Sequence, residues 1–90
     1  MLRITQTTAE ELAILDVQGR LLGPWVDELR SIVELRLAAG PVRLHLEHLS
    51  FADAEGIALL HTFRSSGIEL VGGSGLIEGL LATRVQQHLR

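Results

Sequence analysis

The spacing of hydrophobic residues changes several times along this 90-residue chain, and these changes restrict the folds it can adopt. Apolar residues at every second position indicate a strand, whereas apolar residues three and four positions apart indicate a helix. Taken along the chain, the pattern predicts the order β-β-α-β-α-β-α. Such alternation favours an α/β fold with a partly parallel sheet. We therefore expect one domain over residues 1–90, with about four strands in a mixed sheet and three helices.

The first helix has the clearest signals. Pro24 stands at its start, where a missing N–H costs no hydrogen bond, and Gly40 followed by Pro41 ends it. One apolar stripe recurs at helical spacing: Trp25, Val26, Leu29, Ile32, Val33 and Leu37. The stripe predicts that one face of this helix packs on the core.

The first strands and the third are also visible in the pattern. Leu2 and Ile4 predict a short first strand, and residues 12–17 predict a buried second strand that Gly19 ends. The alternating segment 42–49 predicts a single third strand.

The second half of the chain adds a helix, a strand and a helix. Asp53 is a candidate N-cap for a second helix that ends near Gly67, and residues 68–71 predict a short strand. Ser74 is a candidate cap for a third helix. The apolar side of that helix is formed by Leu76, Ile77, Leu80, Leu81, Val85 and Leu89.

Composition narrows the classes of function. The chain has no cysteine, which excludes disulfides, thiolate catalysis and cysteine-ligated zinc. Its net charge is −3, and its three aromatic residues, Trp25, Phe51 and Phe63, are all expected in the core, so we expect no nucleic-acid binding. No apolar run approaches the roughly 20 residues of a membrane helix, and the first residues lack a signal-peptide pattern. We expect a cytoplasmic domain without cofactor.

The histidines and serines form no pattern typical of an enzyme. His45 and His48 are three apart on the predicted third strand, where their side chains point to opposite faces, so we expect no metal site. No serine lies in a Gly-x-Ser-x-Gly elbow. The turn around Ser74 lacks the lysine of a phosphate-binding loop, which favours a simple serine cap. We expect no catalytic activity.

The start of the second predicted helix is the best candidate for a functional site. Free N–H groups at a helix start attract negative charge. Asp53 can cap the helix, Glu55 adds a carboxylate in its first turn, and Gly56 permits the close approach of the helix to a loop or to a partner. The alternative is that both acids only stabilise the helix, by about 0.5–2 kcal/mol for a cap.

On these residues, the chain resembles a STAS domain, the module named after sulfate transporters and anti-sigma factor antagonists. The resemblance runs from Leu12 to about Ala82, and the order of elements matches the fold of that family. It rests on four segments: 19–21, 44–51, 53–57 and 67–72.

The resemblance carries an expectation about phosphorylation. In antagonist members of the family, the two residues between the aspartate and the glycine include a serine or threonine. A partner kinase, which is also the anti-sigma factor, phosphorylates that hydroxyl and so abolishes binding. Ala54 and Glu55 stand there in this chain, so no phosphorylation is expected at this site. Glu55 either stands in for the phosphorylated state with a single charge or is an ordinary helix-start acid.

The resemblance therefore implies a non-catalytic protein-interaction domain in a bacterial signalling pathway that regulates transcription. Its expected partner is an anti-sigma factor or a related kinase. The expected partner-binding residues are Ser50, Asp53, Ala54, Glu55, Gly56 and Ile57, with Ser50 and Ile57 at the rim.

Two other interpretations remain open. In one, the domain is an accessory subunit with a purely structural role, packed permanently on a transporter component or on a second copy of itself. In the other, the same helix start binds a small anion or a nucleotide. The carboxylate of Glu55 opposes the second, because it already occupies the positive end of the helix.

Overall fold

The computed structural model describes residues 2–73 together with residues 77 and 79. The elements within this part of the chain are β1 (Leu2–Ala9), β2 (Leu12–Leu21), α1 (Pro24–Ala39), β3 (Val42–His45), β4 (Leu49–Ala52), α2 (Ala54–Ser65) and β5 (Glu69–Val71). The predicted α/β class is confirmed, with five strands and two helices in the described residues. The third predicted helix lies outside them, apart from Ile77 and Gly79, which are both helical.

The sheet is mixed, and β2 is its central strand. β1 pairs with β2 in antiparallel orientation, whereas β3 and β4 pair with β2 in parallel orientation. β3 lies beside the first half of β2, β4 lies beside its end, and β5 pairs with β3 in parallel orientation. Only one face of β2 is buried, through Leu15, Val17 and Leu21, whereas residues 14, 16, 18 and 20 of the other face are half-buried or exposed. The prediction of a strand buried on both faces is therefore wrong.

The core is aliphatic, as the composition predicts. α1 packs on β2 and β3, α2 packs on β4 and β5, and the two helices contact each other. No charged or polar residue in the described part of the chain is fully buried. The largest side chains that are completely enclosed are Leu15, Leu21, Leu29, Leu44, Leu46, Leu49, Leu60 and Ile77.

The prediction of one strand over residues 42–49 is wrong, because the chain turns within it. β3 ends at His45, and the Leu49 N–H donates a hydrogen bond to the Leu46 carbonyl at 3.1 Å across the turn. β3 pairs with β2 up to Asp16↔His45, and β4 begins at Gly19↔Leu49, so the turn over residues 46–48 interrupts the ladder with β2. The register then shifts within the β2–β4 pairing, between Gly19 and Arg20. Two short strands therefore pair with β2 in succession.

Other predictions about single residues are also corrected. Gly19 does not end β2 but lies within it at φ 99°, and β1 is a long strand rather than a short one. Leu37 in the last turn of α1 is 40% exposed. Phe51 is 37% exposed because it pairs with the exposed Arg20, so only part of the aromatic content lies in the core.

The β1–β2 hairpin closes through a strained two-residue turn. Ala9 pairs with Leu12, and the two residues between them, Glu10 and Glu11, have φ values of 50° and 71°. Positive φ at both positions defines a type I′ turn, which favours Asn-Gly. Glutamate has a Cβ and no short polar side chain to compensate, so both residues are sterically strained.

Replacing Glu10 by asparagine and Glu11 by glycine is expected to raise the free energy of unfolding by about 1–2 kcal/mol, since both new residues adopt positive φ readily. Urea unfolding followed by circular dichroism measures the gain. The control replaces both glutamates by alanine, which removes the two charges and keeps the strain. If the alanine variant gained as much as the Asn-Gly variant, charge repulsion rather than strain would explain the effect.

Candidate functional site

Asp53 connects the starts of the two helices. It is the N-cap of α2, and its Oδ1 accepts a hydrogen bond from the Gly56 N–H at 2.8 Å. Its Oδ2 accepts a second hydrogen bond, at 3.1 Å, from the N–H of Gly23, which is the N-cap of α1. The Asp53 N–H donates to the Leu21 carbonyl at 3.1 Å. The predicted cap is confirmed, and the same carboxylate also fixes α1.

Gly56 is buried in the first turn of α2, where this helix crosses the end of β2. A Cβ at this position would lie 2.9 Å from the Leu21 carbonyl oxygen and 3.0 Å from the Leu21 Cγ. The first distance is shorter than real Cβ contacts, and the second is at their tight limit. The close approach that the sequence predicts at Gly56 is therefore an approach of the helix to its own sheet.

Ala54 and Glu55, the two residues between Asp53 and Gly56, are both exposed. They occupy the first two positions of α2. Glu55 makes no ion pair or side-chain hydrogen bond with any described residue. The structure therefore separates this segment into two residues that hold the helix in place and two that face the solvent.

Glu55 lies at one side of an open groove of about 480 Å³ between α1 and α2. The groove is lined by Asp27, Arg30, Glu55, Ala58, Leu59 and Thr62. Arg30 Nη1 donates a hydrogen bond to Asp27 Oδ1 across one turn of α1, so the one cation of the groove already has an acidic partner. The carboxylate of Glu55 is the charge in the groove that remains without one.

The two predicted rim residues differ in position. Ser50 is exposed, and its Oγ donates a hydrogen bond to the Gly19 carbonyl at 2.9 Å. Ile57 is only 6% exposed and belongs to the core. Ser50 can thus contact a partner directly, whereas the side chain of Ile57 anchors α2 on the sheet beneath the site.

The histidines do not come together in the described residues. His45 ends β3, whereas His48 lies in the turn before β4, so the two are not on one strand as predicted. His48 Nδ1 lies 3.8 Å from Asp16 Oδ1, and that contact is an ion pair only when the histidine is protonated. No cluster of metal-ligating side chains is present in the part of the chain that the structure describes. His88 lies outside that part.

The turn after β5 contains the glycines that precede the predicted cap, Ser74. Gly72 has φ 79°, a conformation that favours glycine, and it lies close to the Glu47 side chain of the β3–β4 connection. An acidic side chain against this turn disfavours an anion. Ser74 and Gly75, which complete the predicted turn, lie outside the described residues.

Neither α1 nor α2 is long and apolar enough to cross a membrane, and no other helix in the described residues is either.

The sheet order and the two helices define an α/β domain with the STAS fold. Among solved structures, the chain is similar to the anti-sigma factor antagonist SpoIIAA in its unphosphorylated form, with a TM-score of 0.71 and 17% sequence identity. The similarity covers 91% of this chain and 80% of that chain. No protein-family model and no curated protein sequence matches this chain. At this identity, the likeness to SpoIIAA shows the fold alone.

Sequence reasoning missed two features of the site. The hydrogen bond from the Gly23 N–H to Asp53 joins residues 30 positions apart, and no local pattern indicates it. The groove between α1 and α2 depends on how the two helices pack. One part of its polar lining could be predicted from the sequence, because Asp27 and Arg30 lie outside the apolar stripe of α1.

Proposed function

We propose that this chain is a non-catalytic interaction domain that binds a regulatory protein through the exposed start of α2. Two findings support the proposal: the fold is that of an anti-sigma factor antagonist, and the start of α2 presents exposed residues beside a groove. The proposed partner is an anti-sigma factor or a related kinase in the cytoplasm.

The surface consists of an exposed part and a supporting part. Ser50, Ala54 and Glu55 face the solvent, and we call them the α2-start surface. Asp53 holds the backbone of this surface through its two hydrogen bonds, and Gly56 and Ile57 seat the helix on the sheet. Of the six predicted partner-binding residues, three thus offer direct contact and three act through position.

The exposure of Glu55 is the observation that carries this proposal. Asp53 already accepts the hydrogen bond of the Gly56 N–H, so the helix does not need Glu55 as a cap. What remains for Glu55 within the fold is the interaction with the helix dipole, which is worth about 0.3–1 kcal/mol at an exposed position. Its charge is therefore available to a partner.

The charge at this surface is permanent. Neither Ala54 nor Glu55 has a hydroxyl, so a kinase cannot change the charge of the first turn at these two positions. A glutamate has one negative charge, whereas a phosphorylated residue has about 1.5 to 2. We infer a domain whose partner recognises a fixed carboxylate, through an arginine or lysine of its own.

Reversing the charge of Glu55 is expected to weaken capture of the partner at least about tenfold, since the loss of a charge-assisted hydrogen bond costs roughly 1.5–3 kcal/mol. The experiment compares affinity capture from a lysate of the native organism for the wild-type protein, Glu55→Gln and Glu55→Arg, with quantitative mass spectrometry. Glu55→Gln keeps the size of the side chain and is expected to lose less binding than Glu55→Arg.

Glu28→Arg is the matched control, because Glu28 is an exposed acid of α1 that does not line the groove. This variant makes the same change in net charge and is expected to retain the partner. If Glu55→Arg captured the same proteins at the wild-type level, the proposal would be contradicted. A transporter component retained by every variant would favour the structural role of an accessory subunit.

A further inference from the structure

β1 is an edge strand with a long and regular free side. It pairs with β2 from Leu2↔Gly19 to Ala9↔Leu12 without any shift in register. No other described strand pairs with β1, and residues 5–8 are exposed. We call the side of β1 that faces away from β2 the β1 outer edge.

The hydrogen-bonding groups of this edge follow from the turn. In a hairpin with a two-residue turn, the flanking residues, here Ala9 and Leu12, form a hydrogen-bonded pair. Bonded and non-bonded pairs then alternate along an antiparallel ladder. The odd-numbered residues of β1 therefore bond to β2, whereas residues 2, 4, 6 and 8 direct their N–H and C=O groups outward.

Among the residues that the structure describes, the β1 outer edge lacks the features that usually protect such strands. Natural edge strands are blocked by proline, lysine, a bulge or a covering segment. β1 has no proline and no bulge, and the whole chain has no lysine. The Gln6 side chain accepts a hydrogen bond from Arg36 Nε of α1 at 2.7 Å. This side chain is therefore bound to the helix and not to the backbone of the edge. Three threonines favour an extended backbone here.

Charge selects one orientation for a strand that adds to this edge. Arg3 lies near the start of β1, and Glu10 and Glu11 follow its end. Antiparallel addition of a second β1 places the arginine end of each strand beside the glutamate end of the other. Parallel addition would place like charges together at both ends, which is unfavourable.

We propose that two copies of this chain associate through antiparallel pairing of their β1 outer edges. A two-fold axis relates the copies, so each favourable pair of ends occurs twice. The register that uses every outward group pairs Leu2 with Thr8 and Ile4 with Gln6 of the other copy, and it sets the two Thr5 residues opposite each other. Arg3 then lies opposite Thr7 of the other copy, three residues before Glu10. β4 and α2 lie beyond the other side of β2, so the α2-start surface of each copy stays accessible.

Sedimentation velocity of the full chain tests this dimer, from about 1 µM to several hundred µM. Two variants target the edge. Thr5→Lys sets two like charges opposite each other at the axis, and within one copy the new side chain lies beside Asp16, the cross-strand partner. Thr8→Pro removes an outward N–H, and proline is tolerated at the free side of an edge strand. Each variant is expected to weaken dimerisation at least about tenfold.

A charge exchange tests the orientation of the two strands. Arg3→Glu alone is expected to weaken the dimer, and the further substitutions Glu10→Arg and Glu11→Arg in the same chain are expected to restore it. Circular dichroism checks that each variant is folded. If Thr8→Pro does not fold, Thr5→Lys alone decides whether the β1 outer edge forms the dimer. A chain that stays monomeric at every concentration overturns the proposal, even if the edge binds a strand of another protein. So does a dimer that Thr5→Lys leaves unchanged.

Discussion

Replacing Gly56 by valine is expected to lower the free energy of unfolding by about 3 kcal/mol or more. A Cβ would lie 2.9 Å from the Leu21 carbonyl oxygen. That atom belongs to the backbone at the end of β2, so the clash can be relieved only by moving α2 away from the sheet. The two additional methyl groups of valine enlarge the clash. Urea unfolding followed by circular dichroism measures the loss.

Two variants bracket this result. Gly56→Ala is expected to lose less, because the greater helix propensity of alanine, about 1 kcal/mol, offsets part of the clash. Ala54→Val introduces the same branched side chain at an exposed position of the same helix and is expected to change the stability by about 0.5 kcal/mol or less. If Gly56→Val were as stable as Ala54→Val, the close packing of α2 on Leu21 would be contradicted.

The contrast between these variants bears on how the segment 53–56 is interpreted. Asp53 and Gly56 satisfy requirements of the fold, one by capping and the other by close packing. A chain that uses this helix start needs both residues, whatever it binds. We therefore expect the choice of partner to depend on the exposed residues between them, Ala54 and Glu55.

The helices could be predicted from the sequence because their signals are local. Pro24 begins α1, and Gly40 ends it with an N–H that donates to the Arg36 and Leu37 carbonyls. Asp53 caps α2 by accepting a hydrogen bond from the N–H of Gly56, three residues later in the chain. Each signal acts within a few residues along the chain, so no knowledge of the tertiary structure is required.

The division of residues 42–52 into two strands could not be predicted in the same way. The alternation of Val42, Leu44 and Leu46 is real, and all three are buried. What ends β3 is the turn over residues 46–48, after which β4 pairs with a later part of β2. β2 lies more than 20 residues away in sequence, so the local alternation does not show how the two strands pair with it.

The candidate site shows the same limit. The position of Glu55 in the first turn of a helix follows from the local pattern, and the structure confirms it. The second hydrogen bond of Asp53 and the contact of Gly56 with Leu21 join segments that are distant in sequence. The sequence could therefore indicate where the site lies, but it could not show which distant contacts Asp53 and Gly56 make there.

Replacing Asp53 by alanine is expected to lower the free energy of unfolding by about 2–3 kcal/mol. Loss of an N-cap costs about 0.5–2 kcal/mol, and the bond from the Gly23 N–H to the same carboxylate adds to this loss. For a domain of this size, the melting temperature should fall by about 10–20 °C. Thermal unfolding followed by circular dichroism measures the change, and Asp27→Ala, at an exposed acid of α1, is the control.

Asp53→Asn separates the two hydrogen bonds of this carboxylate. Asparagine is a good N-cap, and its one carbonyl oxygen can accept from the Gly56 N–H, but its amide cannot accept from the Gly23 N–H. We therefore expect Asp53→Asn to lose about half as much stability as Asp53→Ala. If the asparagine variant were as stable as the wild type, the bond to Gly23 would contribute nothing, and the carboxylate would act as a cap of α2 alone. If Asp53→Asn captures the partner at the wild-type level, binding needs neither the charge of Asp53 nor its bond to the Gly23 N–H.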